Sequence, residues 1–132
     1  MFATVIDGRK IGRELGFPTA NLALSNPAEM PENGVYAVDV VVKNEKFLGI
    51  LNVGNRPTFG TSERTAEVHI LDFSQEIYGE MLEIFVRRFI REERFFDNPE
   101  DLKKQIQQDL YAAKICSTNV STESLDVSIT KS

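Results

Sequence analysis

The sequence predicts a mainly β protein, an antiparallel barrel capped by one late helix. Two features carry that expectation. Short runs of β-branched and aromatic residues recur along the first ninety or so positions, each bounded by Gly, Pro, Asn or Asp, which is the pattern of strands joined by tight turns. Only one stretch, near the C-terminus, has apolar residues at helical spacing. Six or so such strands have exposed edges unless the sheet closes on itself, so a barrel is the economical arrangement.

The chain has 132 residues, 42% of them hydrophobic and 27% charged, the make-up of one soluble domain. A domain of this size buries roughly two-thirds of its unfolded surface and needs no staples. Its single cysteine, Cys116, cannot form an internal bridge. With no apolar run of signal-peptide or membrane-spanning length, the expected location is the reducing cytoplasm. A net charge of −5 argues against a protein that coats nucleic acid.

Taken in order, residues 2–6 (Phe-Ala-Thr-Val-Ile) are β-prone and form the first strand, running into a glycine-punctuated loop that ends near Asn21-Leu22-Ala23-Leu24. Ser25-Asn26-Pro27 and Met30-Pro31-Glu32-Asn33-Gly34 are breaker clusters across which no helix should form. Val35 to Val42 and Phe47 to Val53 read as a hairpin around a four-residue turn, Lys43 to Lys46. Gly54-Asn55-Arg56-Pro57-Thr58-Phe59-Gly60 reads as a functional loop between strands. From Thr65 to Phe73 alternation puts Ala66, Val68 and Ile70 on one face and Glu67 and His69 on the other. After a turn at Asp72 to Gly79, the strand from Met81 to Ile90 carries Leu82, Ile84 and Val86 on one side. Asn98-Pro99-Glu100-Asp101 is a helix start, with a capping side chain, Pro at the first helical position and acids facing the positive dipole end. Leu102, Ile106, Leu110 and Ala113 then form one apolar stripe that should pack on the sheet. Residues 1–116 make one barrel-plus-helix unit, and the Ser/Thr-rich segment 117–132 is expected to be a disordered tail.

The chemistry concentrates in Gly8 to Leu22. Gly8, Gly12 and Gly16 allow close backbone approach, Arg9, Lys10 and Arg13 attract an anion, and Pro18 stiffens the chain before Thr19 and Asn21. A hydroxyl and an amide oxygen suit Mg²⁺ when phosphates supply its other ligands, although both residue types also cap turns. Glu67 is a carboxylate in mid-strand, either an exposed residue paired with an arginine or a general base inside the mouth of a barrel. His69, the only histidine, is a hydrogen-bonded structural residue or a functional one on the same face. Phe95 and Phe96 with Arg91 either plug the barrel's end or form a slot for a flat ring. Phosphate-loop, dinucleotide-fold, metal-spacing and nucleophile-elbow motifs are absent.

The runs Gly8 to Leu22, Asn33-Gly34-Val35-Tyr36, Gly54 to Gly60, Glu67 to Phe73, Tyr78-Gly79, and Arg91-Glu92 with Phe96-Asp97 resemble the riboflavin kinase family. The similarity covers residues 3 to about 114, and Pro18-Thr19-Ala20-Asn21 with the later Glu67-x-His69-Ile70 is its most specific part. The resemblance implies a six-stranded antiparallel (Greek-key) barrel with a C-terminal helix packed on it, and ATP-dependent phosphorylation of riboflavin to FMN. By motif, Glu67 falls at the catalytic base position, Thr19 and Asn21 at the Mg²⁺ (or other divalent ion) and ATP-phosphate ligands, and Gly8, Gly12 and Arg13 in the nucleotide loop. Arg91 and Phe96 fall in the flavin-contacting loop. The expected partners are ATP and riboflavin, with no nucleic acid or membrane, and an adenylyltransferase domain in a longer parent protein. The family usually has several more residues before its first strand, often with an Arg-Pro-Tyr element, whereas this chain starts almost at the Gly8 turn, as either an excised domain or a trimmed chain would. Two other readings stand beside the kinase: a flavin- or nucleotide-binding barrel without catalysis, and a small nucleic-acid-binding barrel.

Overall fold

The computed structural model describes residues 1–9, 19–58, 61–73, 75–94 and 96–126. Six strands, β1 (Phe2–Arg9), β2 (Thr19–Leu24), β3 (Gly34–Val42), β4 (Glu45–Thr58), β5 (Thr61–Ile70) and β6 (Met81–Arg91), are followed by the helix α1 (Pro99–Asp126). The strands close into an antiparallel barrel in the order β1-β2-β5-β4-β3-β6. The expected six-stranded barrel with one C-terminal helix is therefore the observed fold.

Alternation along each strand fills the interior. Val38, Val40, Leu51, Val53, Ala66, Val68, Leu82 and Ile84 are each at most 1% exposed and belong to one cluster inside the barrel. A second cluster lies on the outer wall, where Val35, Ala37, Ile50 and Leu71 pack against Ala113 and Leu110 of α1. Strand β3 is thus buried on both faces over most of its length, which explains why it reads as a continuous apolar run rather than as an alternating one. The helix begins as its sequence requires, with the Asn98 side chain accepting from the Asp101 amide at 2.9 Å.

Several local expectations need correcting. The β3-β4 turn has two residues, because Val42 pairs with Glu45 and only Lys43 (φ 50°) and Asn44 (φ 70°) leave the ladder. Two positive φ values give a turn whose twist matches that of the flanking strands. Gly54 to Thr58 is not a loop but the end of β4, paired with residues Thr61 to Thr65 of β5. Val86 does not join Leu82 and Ile84 in the interior. It is 44% exposed, where β6 carries an extra residue relative to β3 between the Ala37 and Val38 pairings, and such a bulge re-aims the side chains near it. Helix α1 continues through residues 117–126, the first part of the segment set apart as a tail. Among the described residues no helix is long and apolar enough to cross a membrane.

Candidate active site

Strand β5 commits Ala66 and Val68, each 1% exposed, to the barrel interior. Period-two geometry then forces Glu67 outward, so this half-buried carboxylate stands on the outer wall and not inside the barrel mouth. Register completes the arrangement. Glu67 lies opposite Asn21 of β2 on one side and opposite Asn52 of β4 on the other. Directly opposed residues bring their Cβ atoms to about 5 Å, so Asn21, Glu67 and Asn52 form a polar row across three adjacent strands.

Thr19 precedes Asn21 by two residues and shares its face; its Oγ1 donates to Glu67 Oε1 at 3.3 Å. A hydroxyl that donates to a carboxylate keeps its lone pairs for a cation. Asn21 is 8% exposed, and its Oδ1 has no hydrogen-bond partner among the described residues. A buried, unpartnered amide oxygen costs free energy unless a ligand or ion uses it. Together the two neutral oxygens fit a hard divalent ion that brings phosphate oxygens and water as its other ligands. The described residues hold no cluster of three or more His, Cys, Asp or Glu side chains, so a tight all-carboxylate cage is not on offer there.

Beyond Asn52 the wall passes Val35, which is 1% exposed among the residues that pack against α1, before it reaches Arg91. Asn52 pairs with Val35 of β3, and Val35 pairs with Arg91 of β6. At about 4.8 Å per strand, Arg91 lies about 14 Å from Glu67 along the wall. Two elements bound this path. On one side Ile50, two residues before Asn52, is buried among residues that pack with α1. On the other, Gly54 lies beneath the Glu93 carboxylate, which occupies the space a Cβ would take. Asn52 is exposed between them.

At the far end Arg91 is fully engaged. Its Nε and Nη2 donate to Asp109 Oδ1 and Oδ2, both at 2.9 Å, and Gln105 adds a third bond to Asp109 at 3.0 Å. The pair is largely buried, with side-chain exposures of 17% and 4%. Phe96 lies beneath two guanidinium groups, 6.0 Å from Arg91 and 5.1 Å from Arg94. Arg94 and Phe96, with Asp97, Lys104 and Gln105, line a polar concavity between the β6-α1 loop and the helix.

The structure therefore brings Thr19, Asn21 and Glu67 together and sets Arg91 and Phe96 at the other end of the same wall. Gly8 lies in β1, opposite Ala20. Gly12, Arg13 and Phe95 lie outside the described residues. His69 follows Glu67 on the outer face, opposite Ile50. The sequence reading missed Asn52 and Asp109, and each carried the signal that singled out Glu67. Asn52 is a polar residue inside an apolar strand, and Asp109 is an acid between Ile106 and Ala113 on the apolar stripe of the helix.

Comparison with known proteins gives this geometry a family. The riboflavin kinase (flavokinase) family profile matches residues 1–116. A bifunctional riboflavin kinase/FMN adenylyltransferase of Haemophilus influenzae is 47% identical over 115 residues, covering 86% of this chain and 37% of that protein. A solved structure from Streptococcus pneumoniae, described as a macrolide-efflux protein, superposes with a TM-score of 0.79 at 37% identity, covering 86% of this chain and 37% of that one. The riboflavin kinase of Trypanosoma brucei shares the fold, with a TM-score of 0.59 at 24% identity over 86% of this chain and 73% of that one. The chain thus spans less than half the length of the curated relatives it matches. A profile match over nearly all of the barrel and helix, on a wall that groups Thr19, Asn21 and Glu67, identifies the chain as a member of the riboflavin kinase family.

Proposed function

We propose that this chain transfers the γ-phosphoryl group of ATP to the ribityl 5′-hydroxyl of riboflavin, releasing FMN and ADP. The observation that carries the reading is the Glu67 carboxylate, bonded by the Thr19 hydroxyl and standing opposite Asn21, whose Oδ1 has no partner among the described residues, in a chain of this family. Residues 1–116 form the kinase unit in this reading.

Thr19 and Asn21 hold Mg²⁺ or another hard divalent ion together with the ATP phosphates, and that ion supplies charge neutralisation as the phosphoryl group transfers. Gly8, Gly12 and Arg13 contact the donor's phosphates. Thr19 steadies the Glu67 carboxylate, which accepts a hydrogen bond from the 5′-hydroxyl and takes its proton as the new O–P bond forms and the bond to ADP breaks. A carboxylate is a weak base toward an alcohol, so its orienting role contributes more than its basicity. The flavin ring rests at Phe96 and Arg91, at the far end of the wall.

The test is incubation of the chain with riboflavin, Mg²⁺ and ATP, with FMN followed by chromatography. Wild type should form FMN, and Glu67→Gln should lower turnover by at least about a hundredfold while riboflavin and ATP still bind. Near-normal turnover in Glu67→Gln removes the base assignment. Riboflavin binding without FMN formation by wild type replaces the kinase with a binding module.

A further inference from the structure

We propose that Asn52 is a specificity residue that hydrogen-bonds the polyol chain of the acceptor. The inference rests on the kinase reading above and adds a residue that the motifs do not supply. Asn52 stands one strand beyond Glu67, on the side opposite Asn21. If the phosphoryl donor occupies the Thr19 and Asn21 side, the acceptor must reach Glu67 from the other side. Its ring end, placed at Arg91 and Phe96, is three strand spacings away. An extended five-carbon polyol is longer than one strand spacing of about 4.8 Å and shorter than three, so it has to cross Asn52 to bring its terminal hydroxyl to Glu67.

The surroundings select the chemistry. Ile50 lies under the helix and Gly54 under Glu93, which leaves Asn52 as the exposed polar side chain in the β4 part of this path. Its carboxamide makes no hydrogen bond with another described residue, so both its donor and its acceptor are available. Carboxylates stand near it on two sides, Glu67 across the ladder and Glu93 above Gly54. An anionic phosphate is disfavoured between them, whereas a secondary hydroxyl, which both donates and accepts, matches a neutral amide.

Steady-state kinetics of the full chain with MgATP test this, using riboflavin and analogues that lack the 2′-, 3′- or 4′-hydroxyl. Asn52→Ala should raise the KM for riboflavin about fivefold to tenfold, the worth of one neutral hydrogen bond, with kcat and the KM for ATP within twofold. Riboflavin fluorescence quenching should show the same loss in binding without turnover, and Asn52→Ser should recover part of it. One deoxy analogue should be impaired with wild type and suffer no further loss with Asn52→Ala. An unchanged riboflavin KM, an equal penalty across all analogues, or a loss confined to kcat each overturns the proposal. Melting temperatures of both variants should match wild type, and a variant that fails to fold also refutes it, because it gives the side chain a structural role. Absence of FMN with wild type refutes the kinase reading itself, so the two failures are distinguishable.

Discussion

Replacing Asp109 with alanine should weaken the hold of helix α1 on the barrel. Asp109 is 3% exposed and accepts three side-chain hydrogen bonds, two from Arg91 at 2.9 Å and one from Gln105 at 3.0 Å. Its loss strands a guanidinium beneath the helix, and removing one partner of a buried pair costs about 3–5 kcal/mol. Arg91 keeps some solvent at 17% exposure and a bond to the Glu92 carbonyl at 3.0 Å, which sets the expectation at the low end, about 3 kcal/mol. For a domain of this length that lowers Tm by about 10 °C. Urea unfolding of Asp109→Ala, Arg91→Ala and the double variant gives the coupling directly. A loss under about 1 kcal/mol for Asp109→Ala, or additive losses in the cycle, would refute the reasoning, since coupled buried charges cannot be additive. The same variants divide the two roles of Arg91. Asp109→Ala removes the anchor and leaves the guanidinium present, so any further rise in riboflavin KM in Arg91→Ala measures contact with the ring.

Two further substitutions probe the other end of the wall and the barrel itself. Asn21→Ala should raise the KM for MgATP by tenfold or more and leave riboflavin binding near wild type. Its stability should change by less than about 1 kcal/mol, because the Oδ1 atom has no bond to lose among the described residues. Equal losses for both substrates would contradict its assignment to the donor side. Gly34→Ala should destabilise by about 2–3 kcal/mol in a thermal melt, since φ is +154° and a Cβ there would overlap the Phe89 ring; a neutral result would show that the strand can shift.

How much of this molecule can be read from its sequence differs between elements. Five of the six strands follow from turn residues and periodicity, all but β2, and the helix start follows from Asn98-Pro99, because these are local preferences that tertiary contacts only reinforce. Ala66, Glu67 and Val68 likewise alternate in the sequence as they do in the barrel. Alternation separates two faces without saying which is inside, and here the closed sheet turns Glu67 to the outer wall. The same limit applies to β3, whose apolar run is continuous because α1 covers its outer face. The extent of strand at Gly54 to Thr58 was hidden because pairing with β5 overrides irregular-looking residues.

The sequence by itself singled out the candidate site residues, since Thr19, Asn21 and Glu67 are polar side chains in positions that local structure does not explain. Only the tertiary structure decided that they meet. Register sets Asn21 and Asn52 on either side of Glu67, and register is the product of closing six strands around one core. It also decided that Arg91, read from sequence as a ligand contact, holds Asp109. A guanidinium takes the buried carboxylate that folding brings within 2.9 Å, and no spacing along the chain reveals a partner on a helix packed against the strand.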